Sequence, residues 1–466
     1  MKKINIIIFV VFLLLTSLIG INHEPWVDEA QSWIIARDAS AFEIIWNIAR
    51  YEGSFPLWHL TLKLFINLGL DYEQLYIVPI LISAIGLIVF LKKVEAPKIV
   101  KILLPFSYYI FYQYTIIARS YSYLLLAFSL LAITYKKRIE NPLKYVLALG
   151  FVSLISMHGM IIAVILGITF LIEIIKEKNI KKYIKELILF GAIIIVECII
   201  LFPRSDLYMT VAAAYTIPEI INTIIRMLIG NGNIFFKIYN IVSIIMFIIL
   251  AKNLVKVKNK DFVITIFILL IFMFAIRFGS HHSGILFLFV IFGIICKYEQ
   301  VKDKNKNVDR ILGIVLVMYT VISILPSIND FRYEYSGAKE MAEYISENGY
   351  IQEEIFGFGY KTVSVQAYFE ENLYDNRPET IYRWTIDNKD FYNYCNFLTI
   401  DKSEFTEVPK FILIENNADS DYKLEKIKQT IENTEKYEIE YQTFGKVFFK
   451  NTYCENEGFT LYKLKQ

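Results

Sequence analysis

Two adjacent carboxylates, Asp28 and Glu29, stand in the stretch HEPWVDEAQSWIIARDAS (residues 23–40), directly after the first apolar segment of the chain. A carboxylate at a membrane surface can accept the proton of an attacking hydroxyl group, which is general-base chemistry. The same residues allow a plainer interpretation, because Asp28 followed by Gln31 has the spacing of a capping box at a helix start. The spacing alone favours the cap, and the position directly after a membrane span favours catalysis.

Glu29 has three candidate roles: it can orient Asp28, ligate a divalent metal or face water. A metal would require several oxygen ligands, and the turn YQYTIIARSYSY (residues 112–123) contains no second acidic pair. We therefore predict that the protein uses no cofactor, with a divalent metal kept as the alternative.

Two groups of basic side chains lie near the ends of predicted spans. Arg119 is in the first group, and a guanidinium at a bilayer surface either extends to water or binds an anion. Arg277, His281 and His282, in IRFGSHHSG, form the second. Adjacent histidines without a Cys or a nearby Asp are a poor zinc site, whereas Arg and His are good donors to phosphate. We predict that these four residues bind a phosphate, with a solvated polar turn as the alternative for the second group.

A third set of candidates surrounds the motif FPLW (residues 55–58). Glu52 and His59 flank it and Trp58 belongs to it. We predict that these three residues shape the site of an acceptor molecule, although ordinary surface polarity explains Glu52 and His59 equally well.

The composition indicates a polytopic membrane protein. Of the 466 residues 56% are hydrophobic, and the mean hydropathy is +0.45, which is typical of a chain with many long apolar runs. A net charge of +2 without a long polybasic block argues against nucleic acid as a partner. Among the four cysteines, Cys395 and Cys454 can pair only in an oxidising compartment.

Apolar segments recur along the chain, and we predict about eleven transmembrane helices. Lysine-rich connections such as MKK and LKKVEAPKIVK fall at every second turn, so the positive-inside rule places the N-terminus in the cytoplasm. Segment 22–73 and everything after about residue 327 then lie outside. The predicted spans lie near residues 4–21, 74–91, 98–115, 119–135, 143–157, 160–175, 185–202, 236–250, 261–276, 283–297 and 310–326.

Segment 22–73 is predicted to form three short helices on the outer membrane surface, with Trp26, Trp33 and Ile34 on an interfacial face. Near residue 330 the composition becomes that of a soluble α/β unit, in which SGAKEMAEYISENG predicts a helix and PKFILIEN a buried strand. The alternating stretches YEIEYQTF, KVFFKNTY and GFTLYKLK predict strands of an antiparallel edge. The predicted fold class is therefore a polytopic α-helical membrane protein: a transmembrane part, residues 1–326, followed by an extracytoplasmic α/β domain, residues 327–466.

An external loop that opens with DEA (residues 28–30) and continues to FPLW resembles the GT-C glycosyltransferases, in particular the protein O-mannosyltransferase and aminoarabinose-transferase branch. That branch typically has a PPL motif where this chain has FPLW. The resemblance covers about the first 300 residues. It implies a GT-C-like transmembrane catalytic domain, a sugar donor on a polyprenyl-phosphate carrier, and Asp28 as the catalytic residue.

We therefore predict an inverting glycosyltransferase of the cell membrane. Its partners would be membrane lipid, a polyprenyl-phosphate sugar donor and a glycan, lipid or protein acceptor. The alternative is a transporter or flippase, but such proteins often show inverted repeats and charges at mid-membrane. In this sequence the unusual charges lie at the outer ends of spans, and no repeat stands out.

Overall fold

The computed structural model describes residues 3–178, 180–207, 234–257, 260–275, 280–384, 398–399, 404–405, 408–416 and 422–465. Most of these residues are helical, and the strands among them all lie beyond residue 354. The described chain is thus a long helical part followed by a small α/β unit, in agreement with the coarse fold class predicted above.

The helical part begins with α1, after which short helices alternate with longer ones. In chain order they are α1 (Lys3–Gly20), α2 (Val27–Asp38), α3 (Ala41–Glu43), a π-helical turn (Ile44–Ile48), α4 (Ala49–Glu52), α5 (Leu57–Asn67), α6 (Ile77–Lys93), α7 (Lys98–Leu103), α8 (Leu124–Tyr135), α9 (Pro142–Ser153), α10 (Met157–Lys176), α11 (Ile180–Leu201), α12 (Ile234–Lys256), α13 (Lys260–Ala275), α14 (Ser283–Cys296), α15 (Tyr298–Lys304) and α16 (Val308–Asn329).

Five helices in the described ranges are long and apolar enough to cross a membrane, and a sixth crossing results if the bent pair α14 and α15 counts as one. Two shorter apolar helices, Ser120–Tyr135 and Pro142–Ser153, also coincide with predicted spans. The protein thus has the helices of a membrane-embedded chain, while the total of about eleven spans and their orientation stay predictions. The five helices are Lys3–Gly20, Tyr72–Lys93, Met157–Lys176, Ile234–Lys256 and Val308–Asn329.

Helix α14 forms the centre of the bundle. All but two of its residues, Ser283 and Leu286, are buried, as expected of a helix that is apolar on every side. Outward-facing side chains such as Leu14 (59% exposed) and Ile195 (60%) remain uncovered, which suits a lipid environment.

Helices α2, α4 and α5 lie at one end of the bundle, and the α/β unit packs against them there; we call this the covered end. The sequence correctly predicts three helical stretches in segment 22–73. The predicted interfacial face of α2 is wrong, however, because Trp33 and Ile34 are 3% and 0% exposed. They are buried in an apolar cluster that includes Val363 and Tyr382 of the α/β unit, so protein rather than lipid covers α2.

The α/β unit is built on a four-stranded sheet of order β1–β4–β8–β5. β1 and β4 are parallel, whereas β8 pairs antiparallel with both β4 and β5. Helices cover both faces of the sheet, with separate apolar clusters under α17 and α19. The elements are α17 (Ala338–Glu347), β1 (Ile355–Phe358), α18 (Val363–Gln366), β2 (Leu398–Thr399), β3 (Glu404–Phe405), β4 (Phe411–Glu415), α19 (Tyr422–Asn433), β5 (Tyr437–Gln442), β6 (Val447–Phe449), β7 (Thr452–Glu455) and β8 (Phe459–Leu464).

Close packing at the start of α14 gives a first prediction. A methyl group added at Gly284 would collide with the hydroxyl of Tyr114 and the ring of Tyr109. We therefore expect Gly284→Ala to destabilise the protein by about 1–3 kcal/mol, measured as a lower midpoint of thermal unfolding in detergent. Gly191→Ala in α11 is the matched control, since nothing lies within 4 Å of its added methyl group. Equal midpoints for the two variants would contradict the packing described here.

Candidate functional site

Asp28 and Arg119 form an ion pair at the covered end of the bundle, in which Arg119 Nη1 donates to Asp28 Oδ2. The Asp28 side chain is 28% exposed and that of Arg119 is 27% exposed. Asp28 lies in the first turn of α2, where the partial positive charge of a helix N-terminus stabilises an anion. The pair is therefore anchored in protein yet open to solvent.

The helix cap belongs to Glu29 and not to Asp28. The N-cap of α2 is Trp26, and its backbone N–H donates to Glu29 Oε2 at 3.2 Å. The predicted capping box of Asp28 with Gln31 is thus wrong, because Asp28 lies inside the helix and Gln31 donates instead to the carbonyl of Tyr382 at 2.6 Å. The capping alternative no longer accounts for the Asp28 carboxylate.

Glu29 is buried, with 1% of the residue exposed, and it does not face water. Besides the cap, its Oε1 accepts from the backbone N–H of Ala118 at 2.5 Å. Its Oε2 also lies 3.2 Å from His23 Nε2. Because Arg119 directly follows Ala118, Glu29 fixes the segment that carries the partner of Asp28.

His23 lies between two carboxylates, Glu29 on one side and Asp330 on the other, where Nδ1 is 3.5 Å from Asp330 Oδ1. Burial alone would lower the pKa of His23, but the two negative charges raise it to about 10. Tyr112 also donates to Asp330 at 3.0 Å. An imidazolium therefore joins segment 22–73 to the end of α16.

Arg119 also borders a group of aromatic and imidazole rings. Its guanidinium lies 5.8 Å from the ring centre of Tyr121, which is 5.4 Å from the ring of His281. The rings of His281 and His282 are 4.1 Å apart, and so are those of His282 and His158. The structure thus brings together the predicted Arg119, His281 and His282 and adds Tyr121 and His158.

His281 and His282 are neutral. Burial, followed by the positive charge of Arg119, holds the pKa of His281 well below its usual value, and burial does the same for His282. A neutral imidazole offers one N–H donor and one acceptor, so they can hydrogen-bond a phosphate but supply no charge. Arg277, the predicted source of that charge, lies outside the described residues, as does Cys395. Within the described part of the chain no cluster of His, Cys, Asp and Glu could hold a metal ion.

The three predicted acceptor-site residues have different environments. Glu52 Oε1 accepts from Gln31 Nε2 at 3.4 Å, and burial together with the charge of Asp28 raises the pKa of Glu52 to about 7 against the opposing effect of Gln31. His59 is 3% exposed, and burial, followed by the Arg119 charge, lowers its pKa to about 4. Trp58 packs in the apolar cluster beneath α2. Glu52 and His59 thus respond to the charges of the Asp28–Arg119 pair, whereas Trp58 supports α2.

The α/β unit contributes residues that sequence reasoning missed. Tyr360 lies close enough to Asp28, Glu52 and Arg119 for their charges to affect its pKa. Tyr382 receives the hydrogen bond from Gln31 noted above. More than 200 residues separate each of these pairs, and no local pattern in the sequence signals such a contact.

An apolar cavity of about 400 Å³ lies between α12, α13, α14 and α16. Residues 244 to 255 of α12 line it, a rise of roughly 16 Å, which is about the ~15 Å hydrocarbon thickness of one leaflet. At one end, Tyr109 and Ser283 bond through their hydroxyl groups at 2.7 Å, beside Lys450 from the turn between β6 and β7. Because Ser283 directly follows His282, this end of the cavity adjoins the histidine group.

Comparisons with known proteins found no relative: the chain matches no family model, no curated protein and no solved structure. Its GT-C resemblance therefore stays a prediction, and the arguments below rest on the geometry.

The buried imidazolium predicts a pH-dependent stability. The folded-state pKa of His23, about 10, lies above the roughly 6.5 of an unfolded histidine, so its stabilisation is full below pH 6.5 and disappears as the pH rises towards 10. We expect a loss on the order of 2 kcal/mol across this window, measured by thermal unfolding in detergent.

The control is His23→Gln, which should be less stable at pH 6 but should lose less stability across the same window. Groups that do not contact His23 titrate alike in both proteins, so the difference between the two curves isolates the His23 charge and its pairing with Asp330. Parallel curves would show that His23 is not charged in the folded protein.

Proposed function

We propose that the protein is an inverting glycosyltransferase that moves a sugar from a polyprenyl-phosphate carrier to a hydroxyl acceptor at the outer membrane face. The observation that carries the proposal is the Asp28–Arg119 pair, a partly exposed carboxylate and guanidinium beside two neutral histidines. It unites a base with a set of phosphate donors at one place.

The reaction would use the two charges in turn. A donor phosphate competes with Asp28 for the Arg119 guanidinium, since both are anions suited to its planar fork. Asp28, once released, accepts the proton of the acceptor hydroxyl as its oxygen attacks the anomeric carbon. The bond from that carbon to the carrier oxygen breaks, and its electron pair stays on the phosphate. Arg119, with N–H groups of His281 or His282, stabilises the charge that develops there.

The apolar cavity supports a lipid-linked donor. It is as long as the hydrocarbon of one leaflet, and its polar end adjoins His282 and Ser283. A single isoprenoid chain lying in it would bring the carrier phosphate to the histidine group. The about eleven spans and the outside location of the covered end belong to this proposal.

Asp28→Asn provides the central test. We expect release of carrier phosphate from polyprenyl-phosphate sugars, offered with mixed acceptors, to fall by about 10²–10⁴-fold because the general base is lost. The variant is compared with Asp38→Asn, which removes a carboxylate from the other end of the same helix, at matched thermal stability. Equal release from wild type and Asp28→Asn would place the base elsewhere. Tight binding of carrier lipid without release by either would favour the transporter.

Filling the cavity tests the donor site separately. We expect Leu286→Trp to raise the KM for a long-chain donor about tenfold, because the indole occupies space needed by the lipid chain. A donor with a short, water-soluble chain should be affected much less. Ile245→Trp, on the exposed face of α12 outside the cavity, is the matched control. The same KM change with both donors would contradict a chain in this cavity.

A further inference from the structure

Three aromatic side chains of the α/β unit form a surface beside the Asp28–Arg119 pair. The rings of Tyr360, Tyr382 and Trp384 are mutually in contact, with centre-to-centre distances of 5.0, 4.8 and 5.1 Å. Tyr382 is buried, whereas Tyr360 and Trp384 are half-buried. We call these three residues the aromatic surface.

The backbone fixes Tyr360 at the carboxyl end of a parallel strand, which is the edge where ligands bind in open α/β sheets. Gly359, between β1 and Tyr360, has φ of 93°, and a side chain there would collide with Glu415. The backbone N–H of Lys361 donates to Glu415 Oε2 at 2.7 Å and holds the turn from the other side. The backbone conformation of this turn therefore fixes the position of Tyr360.

Hydrogen-bond acceptors border the aromatic surface. Gln31 is 2% exposed and holds the Tyr382 carbonyl with its amide nitrogen, while its Oε1 has no partner among the described groups. The carboxylate of Glu52 joins this border through its 3.4 Å hydrogen bond from Gln31 Nε2, and Asp28 lies one turn before Gln31 in α2. Half-buried aromatic rings next to carboxylate and amide oxygens suit a sugar ring, whose C–H face packs on the accessible part of the rings while its hydroxyl groups donate to the oxygens.

A peptide acceptor fits this edge less well. β1 is the outer strand of the sheet, and a peptide could bind there by adding a further strand. That edge is already occupied, because Asp375 accepts from the N–H of Ile355 at 2.9 Å and Asn376 bonds both backbone groups of Gly357. Tyr360 and Trp384, in contrast, are half-buried and partly accessible.

We propose that the acceptor is a saccharide and that Tyr360, Tyr382 and Trp384 bind it, with one ring hydroxyl directed at Asp28. The inference rests on the proposed function, because the hydroxyl oxygen bonds to the donor's anomeric carbon, its proton passes to Asp28 and the carrier phosphate leaves with the electron pair. The aromatic surface thus determines which class of acceptor reaches the base.

The test is saccharide binding in the absence of donor. Full-length protein in detergent is titrated with chito-, cello- and malto-oligosaccharides and with serine- and threonine-containing peptides, followed by calorimetry and by saturation-transfer NMR. We expect at least one oligosaccharide to bind and Trp384→Ala to weaken that binding by about tenfold or more. Trp384→Phe should retain most of it. Tyr453→Ala, at an aromatic residue in β7 that is 47% exposed, is the matched control and should bind as wild type does.

The same titration separates this inference from the proposed function. Wild-type protein that binds an oligosaccharide but releases no carrier phosphate from any donor would overturn the proposed function and leave the saccharide site standing. Binding of peptides alone, equal binding by Trp384→Ala and wild type, or no binding of any oligosaccharide would each overturn the saccharide acceptor.

Discussion

The buried carboxylate of Glu29 is the constraint on which the covered end depends. Removing an ion from water costs several kcal/mol, so a buried carboxylate persists only where donors surround it. Here the backbone N–H groups of Trp26 and Ala118 and the ring of His23 supply them. These donors lie at the start of α2, in the segment before Arg119 and in the chain after α1. If any of these segments moved, the buried charge would lose a hydrogen-bond donor.

Asp28 and Glu29 show how neighbouring residues of the same chemistry acquire different tasks from their surroundings. Successive side chains on a helix point about 100° apart, so one carboxylate enters the protein while the next remains at its surface. The hydrogen bonds of Glu29 hold the start of α2, the segment before Arg119 and the chain after α1 together. Among the described residues Asp28 forms its ion pair with Arg119, and an incoming anion can take that partner over. Rigid support next to an exchangeable ion pair is what a reactive site needs.

Sequence reasoning recovered the features that depend on local pattern. Apolar runs and turn residues located the long helices, the helix Ala338–Glu347 and the strand Phe411–Glu415. Alternating lysine-rich turns grouped Asp28, Arg119, His281 and His282 on one side, and the structure places them together. Two contacts could not be predicted: that of His23 with Asp330, and the position of Tyr360 beside the Asp28–Arg119 pair. Each joins segments that lie hundreds of residues apart in the sequence. The burial of Trp33 was also not predicted, because an aromatic residue suits a position covered by protein and a position covered by lipid equally well.

The hairpin of β6 and β7 has a consequence for how the protein is made. Its turn reaches back into the helical part, where the N–H of Lys450 donates to the buried hydroxyl of Tyr108 at 2.8 Å and Asn240 bonds Asn451 at 3.2 Å. Lys450 also lines the end of the apolar cavity. Because the chain is synthesised from its N-terminus, every helix up to α16 is made before the residues that complete the cavity exist. A nascent chain halted before residue 447 would therefore lack the part of the cavity wall that Lys450 supplies beside Ser283.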